Sequence, residues 1–263
     1  ENDHASSVDK IMALAPNALI HITARGKKAL DRFFDTSSWK FRIVKTGDTL
    51  STGTKTLRFL ETPMLHWPDS MMTYIPEDKL LISQDAFGQH LASPVRFDDE
   101  YCDQCSVVEL EHAVRDYYAN ILMPFGQLVK AKIAEIQRLG LVIDMIAPDH
   151  GIIWRRDPGK ILKMYLDMAN DVADLRVVIV YDTMWHSTEH MTIPLMQGIR
   201  AAGVDVEVVK LRSTPMSVAI KKIWESRAML VGTPTLNNIM FPSVAEFLQH
   251  LKGLRPKNRL AGA

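Results

Sequence analysis

The sequence predicts an α/β protein of two domains, the second a doubly wound parallel sheet. Three observations predict it. Hydrophobic residues make up 47% and charged residues 24% of the 263 positions, the proportions of a folded globular chain rather than a disordered or fibrous one. Short β-like runs separated by turns and helical stretches fill residues 1–172. From residue 173 onward, continuous apolar runs alternate with helical patterns in the order β-α-β-α-β-α, as an open parallel sheet requires. The predicted domains are therefore 1–172 and 173–263.

Taken in order, residues 17–22 (NALIHI) predict a buried strand, while 40–44 (KFRIV) and 56–60 (TLRFL) alternate as half-buried strands do. Between the latter two, the turn-rich KTGDTLSTG suits a hairpin-like connection. Residues 79–83 (KLLIS) predict another strand. Helices follow over 106–123 and 127–138, the second capped by Gly140, and 141–146 (LVIDMI) returns to strand. A connecting helix spans 160–170. In the second domain, LRVVIVY (175–181), VDVEVVKL (204–211) and AMLVGTPT (228–235) predict strands, with helices from Ser187, between the later strands, and over 242–252. Pro194 stands about two turns into the first of these helices, where a bend rather than a break is expected.

Composition excludes several classes. Lys plus Arg and Asp plus Glu both total 31, so no basic excess points to nucleic acid. No apolar run approaches the ~18 residues of a membrane span. Two cysteines exclude a disulfide framework and point to a reducing, cytoplasmic setting.

The chemistry-bearing residues fall into two groups. Glu1, Asp3 and His4 open the chain; His66 follows the TLRFL strand, Asp85 follows KLLISQ, and His150 follows LVIDMIAPD. Loops at the carboxyl ends of strands form the crevice of α/β proteins. Imidazoles and carboxylates placed there can converge on metal, and HWPDS, DAFG and PDHG repeat that pattern. The second group is DTMWHSTEHM, a strand followed by a hydroxyl-rich turn and a helix start. The backbone N–H groups of Thr183, Met184, Trp185, His186, Ser187 and Thr188, the helix N-terminus, and the hydroxyls of Thr183, Ser187 and Thr188 suit a phosphate. Ser187 or Thr188 is the expected N-cap. One βαβα step later, Thr233, Pro234, Thr235, Leu236, Asn237 and Asn238 form a turn whose N–H groups can face a flavin ring.

These motifs resemble a known family. The opening ENDH matches the last four positions of the metallo-β-lactamase-like motif His-x-(His/Glu)-x-Asp-His, with Glu1 where hydrolases of that superfamily usually carry His. The motif's first His would lie two residues before Glu1, and a third flavin loop would follow Ala263, so the stretch reads as cut at both ends. With LETPMLHWPDSM, DAFGQH, PDHGIIWR, YDTMWHSTE and GTPTLNN, the chain is similar to the flavodiiron proteins (A-type flavoproteins, including flavorubredoxins). The resemblance implies an N-terminally truncated αββα metallo-β-lactamase-like domain, then a C-terminally truncated flavodoxin-like domain. It implies two Fe ions per chain: the matches to Glu1 and His66 on one, those to Asp3 and His150 on the other, and Asp85 bridging. The match to His4 is a ligand in some members and displaced in others. It implies FMN on the 183–188 and 233–238 loops, with electrons passing through FMN to iron to reduce dioxygen to water or nitric oxide to nitrous oxide. The implied partners are rubredoxin or a similar donor and a second copy in a head-to-tail homodimer or dimer of dimers, with no nucleic acid and no membrane. Weakened iron and flavin binding is expected of this stretch by itself.

Two other readings stand beside this one. One is a zinc hydrolase with an appended flavodoxin-like domain, which Glu1 argues against; the other is a flavin electron carrier with a vestigial metal site. Cys102 and Cys105 form a CxxC that reads as incidental or structural, against a thioredoxin-like pair at a helix N-terminus. His90 is a candidate for a group behind the metal ligands.

Overall fold

The computed structural model describes residues 2–263 and resolves them into two compact units, each non-contiguous in sequence. One runs to Val114 and resumes over Gln127–Leu166; the other joins Arg115–Gly126 to Asp167–Ala263.

The elements of the first unit, in chain order, are α1 (Asn2–Ala5), α2 (Val8–Leu14), β1 (Leu19–Ile22), α3 (Ala24–Phe33), β2 (Lys40–Ile43), β3 (Thr49–Ser51), β4 (Thr56–Glu61), β5 (Met71–Ile75), β6 (Leu80–Gln84) and α4 (Asp98–Gln104). Then come α5 (Val107–Tyr117), α6 (Gly126–Arg138), β7 (Met145–Pro148) and α7 (Pro158–Ala169). Strands β3-β4-β5-β6-β7 make one sheet, antiparallel up to β6, with β7 parallel to β6. One buried face carries Leu60, Met72, Tyr74, Leu81 and Ile146, each 4% exposed or less, while Phe59 points to the opposite face and stacks on His21 of β1. The alternation in β5 is clean: Met72 and Tyr74 point inward while their neighbours are half-buried. That arrangement is what a sheet with one covered face selects.

Three local expectations are corrected. The hairpin lies not between 40–44 and 56–60 but between β3 and β4, closed by the Thr52 N–H donating to Lys55 O at 2.9 Å. Strand β2 instead pairs parallel with β1. Strand β1 is half-buried rather than buried, with Leu19 at 48% exposure, because a two-stranded ribbon covers little of its own surface. Strand β7 begins at Met145 rather than near 141, since its register with β6 starts at Leu80 opposite Met145. Residues just before it serve another purpose: the Tyr74 hydroxyl donates to Val142 O at 2.6 Å.

The second unit contains β8 (Asp174–Tyr181), α8 (Ser187–Ala201), β9 (Asp205–Lys210), α9 (Met216–Glu225), β10 (Ser226–Gly232), β11 (Thr235–Leu236), β12 (Ile239–Met240), α10 (Pro242–Leu254) and β13 (Leu260–Gly262). Its main sheet is fully parallel in the order β13-β10-β8-β9. The first strand sits inside, so the order reverses at β8, and the crevice of such a sheet opens at the carboxyl ends of β8 and β10. Val178, Ile179 and Val180 are buried at 2% exposure or less, as the continuous apolar run requires. Helix α8 continues through Pro194. The 115–126 segment, which includes a π-helical turn over Tyr118–Leu122, belongs here: the Tyr118 ring lies 5.6 Å from Trp224, and the Asn120 amide donates to Ser217 O at 3.2 Å.

Candidate functional site

Strands β4 and β6 run the same way, each antiparallel to β5, and β7 runs parallel to β6. Their carboxyl ends therefore share one edge of the sheet. The segments that leave this edge carry His66, Asp85, and Asp149–His150, while α1 brings Asp3 and His4. Glu1 lies outside the described residues.

The five described donors converge. His4 Nε2 and His150 Nε2 stand 3.1 Å apart, and each lies 3.3 Å from Asp85 Oδ1. The other oxygen of the same carboxylate, Oδ2, faces His66 Nε2 at 3.7 Å. Asp3 Oδ2 lies 3.4 Å from His150 Nε2 and 3.7 Å from His4 Nε2. Asp3, His4 and His150 can each place one donor atom within 4.8 Å of the others.

The chemistry of this set fits cations. Asp85 is 1% exposed, and a buried carboxylate needs opposite charge or metal around it. Three imidazoles and two carboxylates supply both nitrogen and oxygen donors, a mixed set suited to transition metals of intermediate softness. The two oxygens of Asp85 address different imidazoles, which is the layout of a carboxylate shared between neighbouring ions. Burial holds the His66 imidazole below its ordinary pKa despite the pull of Asp85, so it is kept neutral and ready to ligate.

Two further residues touch this site and were not singled out by sequence. Asp149 Oδ2 lies 3.3 Å from His4 Nδ1, and burial pushes its carboxyl above the usual range. Gln84 places its amide nitrogen 3.4 Å from the same Nδ1, while its oxygen accepts from the Met71 N–H at 2.9 Å. The Asp in PDHG was a signal for the first; nothing in the sequence distinguished the second. His90 is exposed, with its ring 5.3 Å from that of His150. Met72 is core, and Trp67 is 48% exposed beside His66.

In the second unit, the loops at the ends of β8 and β10 adjoin. The Asp182 N–H donates to Gly232 O at 3.2 Å, and a Cβ on Gly232 would press on Thr188 Cγ2. The expected cap at Ser187 or Thr188 is corrected: helix α8 begins at Ser187, and His186 is its N-cap, in the left-handed conformation at φ 66°. A left-handed position favours glycine, and here a histidine holds that conformation with its side chain engaged. His186 Nδ1 lies 2.7 Å from Glu189 Oε2, and Glu189 also accepts from the Tyr181 hydroxyl at 3.1 Å and pairs with Lys210. The hydrogen bonds from His186 and Tyr181 draw the Glu189 carboxyl down to about 2. A depressed carboxylate contributes stability that is present above its unfolded pKa and lost as pH falls. The expected result is that loop stabilisation by Glu189 is complete above about pH 4.5 and fades toward pH 2, and that E189Q flattens this limb of an acid titration.

Asp182, fully buried, fixes the start of the loop. It accepts from the Thr183 N–H at 2.7 Å and from the Ser243 hydroxyl, with Arg212 at 3.6 Å. The Thr183 hydroxyl is itself buried with no hydrogen-bond partner among the described residues. Such an orphaned group at a strand end suits an added acceptor, and it fits the anionic part of a flavin nucleotide. Trp185 is 84% exposed at the loop tip. Thr233 accepts from the Phe241 N–H at 3.1 Å, and Asn237 and Asn238, at φ 51° and 61°, make the tight turn of the β11–β12 hairpin.

Cys102 and Cys105 are free thiols at the end of α4, with Cys105 two residues before the start of α5. Burial, with Asp98 nearby, pushes the Cys102 thiol up, the opposite of an activated thiolate. No helix of the described residues is long and apolar enough to cross a membrane.

Comparison with known proteins adds four findings. Residues 2–151 match the family described as ODP family beta lactamase. A protein of Moorella thermoacetica named nitric oxide reductase is 47% identical over 260 residues, covering 99% of this chain and 64% of that protein. Among solved structures, rubredoxin oxygen:oxidoreductase from the anaerobe Desulfovibrio gigas superposes with a TM-score of 0.95 at 38% identity, over 100% of this chain and 65% of that one. The flavodiiron protein of Giardia intestinalis superposes at 0.87 and 33% identity, over 95% of this chain and 60% of that one. The chain thus spans just under two thirds of the length of each.

Proposed function

The chain belongs to the ODP family of beta-lactamase-type proteins, among the flavodiiron proteins, and from that premise we propose that it is the greater part of an oxidoreductase that reduces nitric oxide, dioxygen or both. The carrying observation is Asp85, buried, with one oxygen toward His4 and His150 and the other toward His66. Two iron ions would supply, when bound, redox-active positions for the gas, and FMN would supply the electrons.

The chain's own residues do the rest. Asp85 would hold the two positions at a fixed separation by offering one oxygen to each. Asp3 and His150 would complete one position, His66 the other with Glu1, and His4 stands next to the first. Gln84 and Asp149 both approach Nδ1 of His4, which orients that ring. Thr183, Met184, Trp185, His186, Ser187 and Thr188 would receive the flavin phosphate, and Thr233, Pro234, Thr235, Leu236, Asn237 and Asn238 the ring. We place the protein in the cytoplasm, with rubredoxin or a similar carrier as donor. Two copies arranged head to tail would complete the electron path, which sedimentation of the full-length protein reads directly.

The deciding experiment is anaerobic reduction of the full-length protein, mixing with each gas separately, and observation of the flavin band. Rapid reoxidation by at least one gas, with two irons per chain on analysis, is expected. Zinc in place of iron would support a hydrolase instead, and a flavin that stays reduced would support a simple carrier.

Thr183→Val tests the flavin loop. The substitution removes an unpaired buried hydroxyl and keeps the shape, so the thermal midpoint should hold or rise slightly. FMN affinity should fall by roughly 3–10-fold, the value of one hydrogen bond. Unchanged flavin affinity would remove Thr183 from the site.

A further inference from the structure

The loop after β6 and the loop after β7 carry Asp85 and His150, and one buried side chain joins them. Gln89 is fully buried. Its backbone N–H donates to His150 O at 3.2 Å. Its side-chain oxygen accepts from the Ile152 N–H, and its side-chain nitrogen donates to Ile152 O at 3.2 Å. The primary amide thus pairs with both backbone groups of one residue, as a neighbouring strand would. Gly88 adds the close approach: its N–H donates to Asp85 O at 3.1 Å, and a Cβ there would stand 3.0 Å from Asp85 O and 3.1 Å from His150 O.

We propose that Gln89 is a positioning residue for the metal centre, clamping the His150 loop so that His150 Nε2 meets Asp85 Oδ1. The inference rests on the metal reading given above. The clamp needs a group that both donates and accepts at fixed reach. A primary amide does; an ionised carboxylate cannot donate to Ile152 O, and a thioether cannot donate and accepts only weakly. Gln89 holds the His150 loop through both its backbone N–H, to His150 O, and its side-chain amide, to Ile152, and it touches neither imidazole in the hydrogen bonds above. Its effect is therefore on where His150 sits, not on what His150 is.

The test is cobalt binding to the full-length protein freed of iron, read by stoichiometry and by the visible ligand-field spectrum. Gln89→Met and Gln89→Glu are compared with Trp154→Phe. The latter removes a different bond between the same two loops, from Trp154 Nε1 to Phe87 O at 2.8 Å, and leaves the amide clamp intact. Cobalt affinity should fall by about 10–100-fold in the Gln89 variants, with an altered ligand-field band. Trp154→Phe should lose thermal stability while keeping the wild-type affinity and band. Should the Met and Glu variants fail to fold, Gln89→Asn, the same amide one methylene shorter, carries the same expectation. Equal losses in the Gln89 and Trp154 variants, or none in either, would overturn the positioning role. Wild-type protein that binds no cobalt would overturn the metal reading and this inference with it, an outcome distinguishable from the others without any variant.

Discussion

Asp85→Asn is expected to abolish gas reduction and to lower iron content while leaving FMN bound. The reasoning is atomic. The carboxylate offers Oδ1 to His4 and His150 at 3.3 Å and Oδ2 to His66 at 3.7 Å. An amide of the same shape keeps one acceptor and turns the other position into a donor, which no cation accepts. It also removes the one negative charge that is buried among three imidazoles, so two adjacent dications would repel with less to offset them. Loss of partners behind metal ligands costs about 10–100-fold in affinity, and loss of a shared ligand should exceed that. The loops proposed to receive flavin belong to the other compact unit and contain none of these atoms, so any yellow colour should remain. Iron analysis and gas consumption, measured on the same preparation, check both halves. Undiminished turnover would contradict the bridging role; loss of iron and flavin together would mean that the substitution unfolds the protein.

Much of this was legible before any coordinates. The apolar runs of β8, β9 and β10 name a parallel sheet because residues buried on both faces have no polar alternation to preserve. Asp85, His66 and His150 could be picked out because each follows a strand, and strands that share an edge bring their following loops together. What could not be read were features set by pairing between distant segments. Strand β3 has three residues and no periodicity of its own; it exists because Arg58, Leu57 and Thr56 present an edge to it. The membership of 115–126 in the second unit depends on Tyr118 meeting Trp224, a contact across about a hundred positions that no local pattern encodes. The N-cap was missed for a different reason. Ser187 and Thr188 are better cap residues than histidine by local propensity, but His186 is held left-handed by Glu189, whose own position depends on Tyr181 and Lys210. Gln84 and Gln89 carry no charge, and although DAFGQH contains Gln89 nothing in that motif assigns it a contact, so their contribution appears only as hydrogen bonds.

Gly151→Ala is expected to destabilise the first unit far more than Gly140→Ala, although both glycines have positive φ, at 83° and 61°. Each substitution places an alanine in the left-handed region, at about 1–2 kcal/mol. At Gly140, which ends α6, a new Cβ meets nothing within 4 Å, so the backbone term is the whole cost. At Gly151 the Cβ would overlap both the side-chain oxygen and the backbone oxygen of Gln89. Neither can yield cheaply. The side-chain oxygen is bonded to the Ile152 N–H inside a fully buried group, and the backbone oxygen is part of the chain that carries Asp85. Overpacking of this kind adds roughly 1–3 kcal/mol, which brings the total to about 2–5 kcal/mol. The two loops must separate to make room, and with them His150 must leave Asp85. Gly151→Ala should therefore combine a large drop in denaturation midpoint with weakened metal binding, where Gly140→Ala gives a small drop and unchanged binding. Parallel melts and cobalt titrations of the two variants decide it, and equal midpoints would show that the junction between the loops is loose rather than packed.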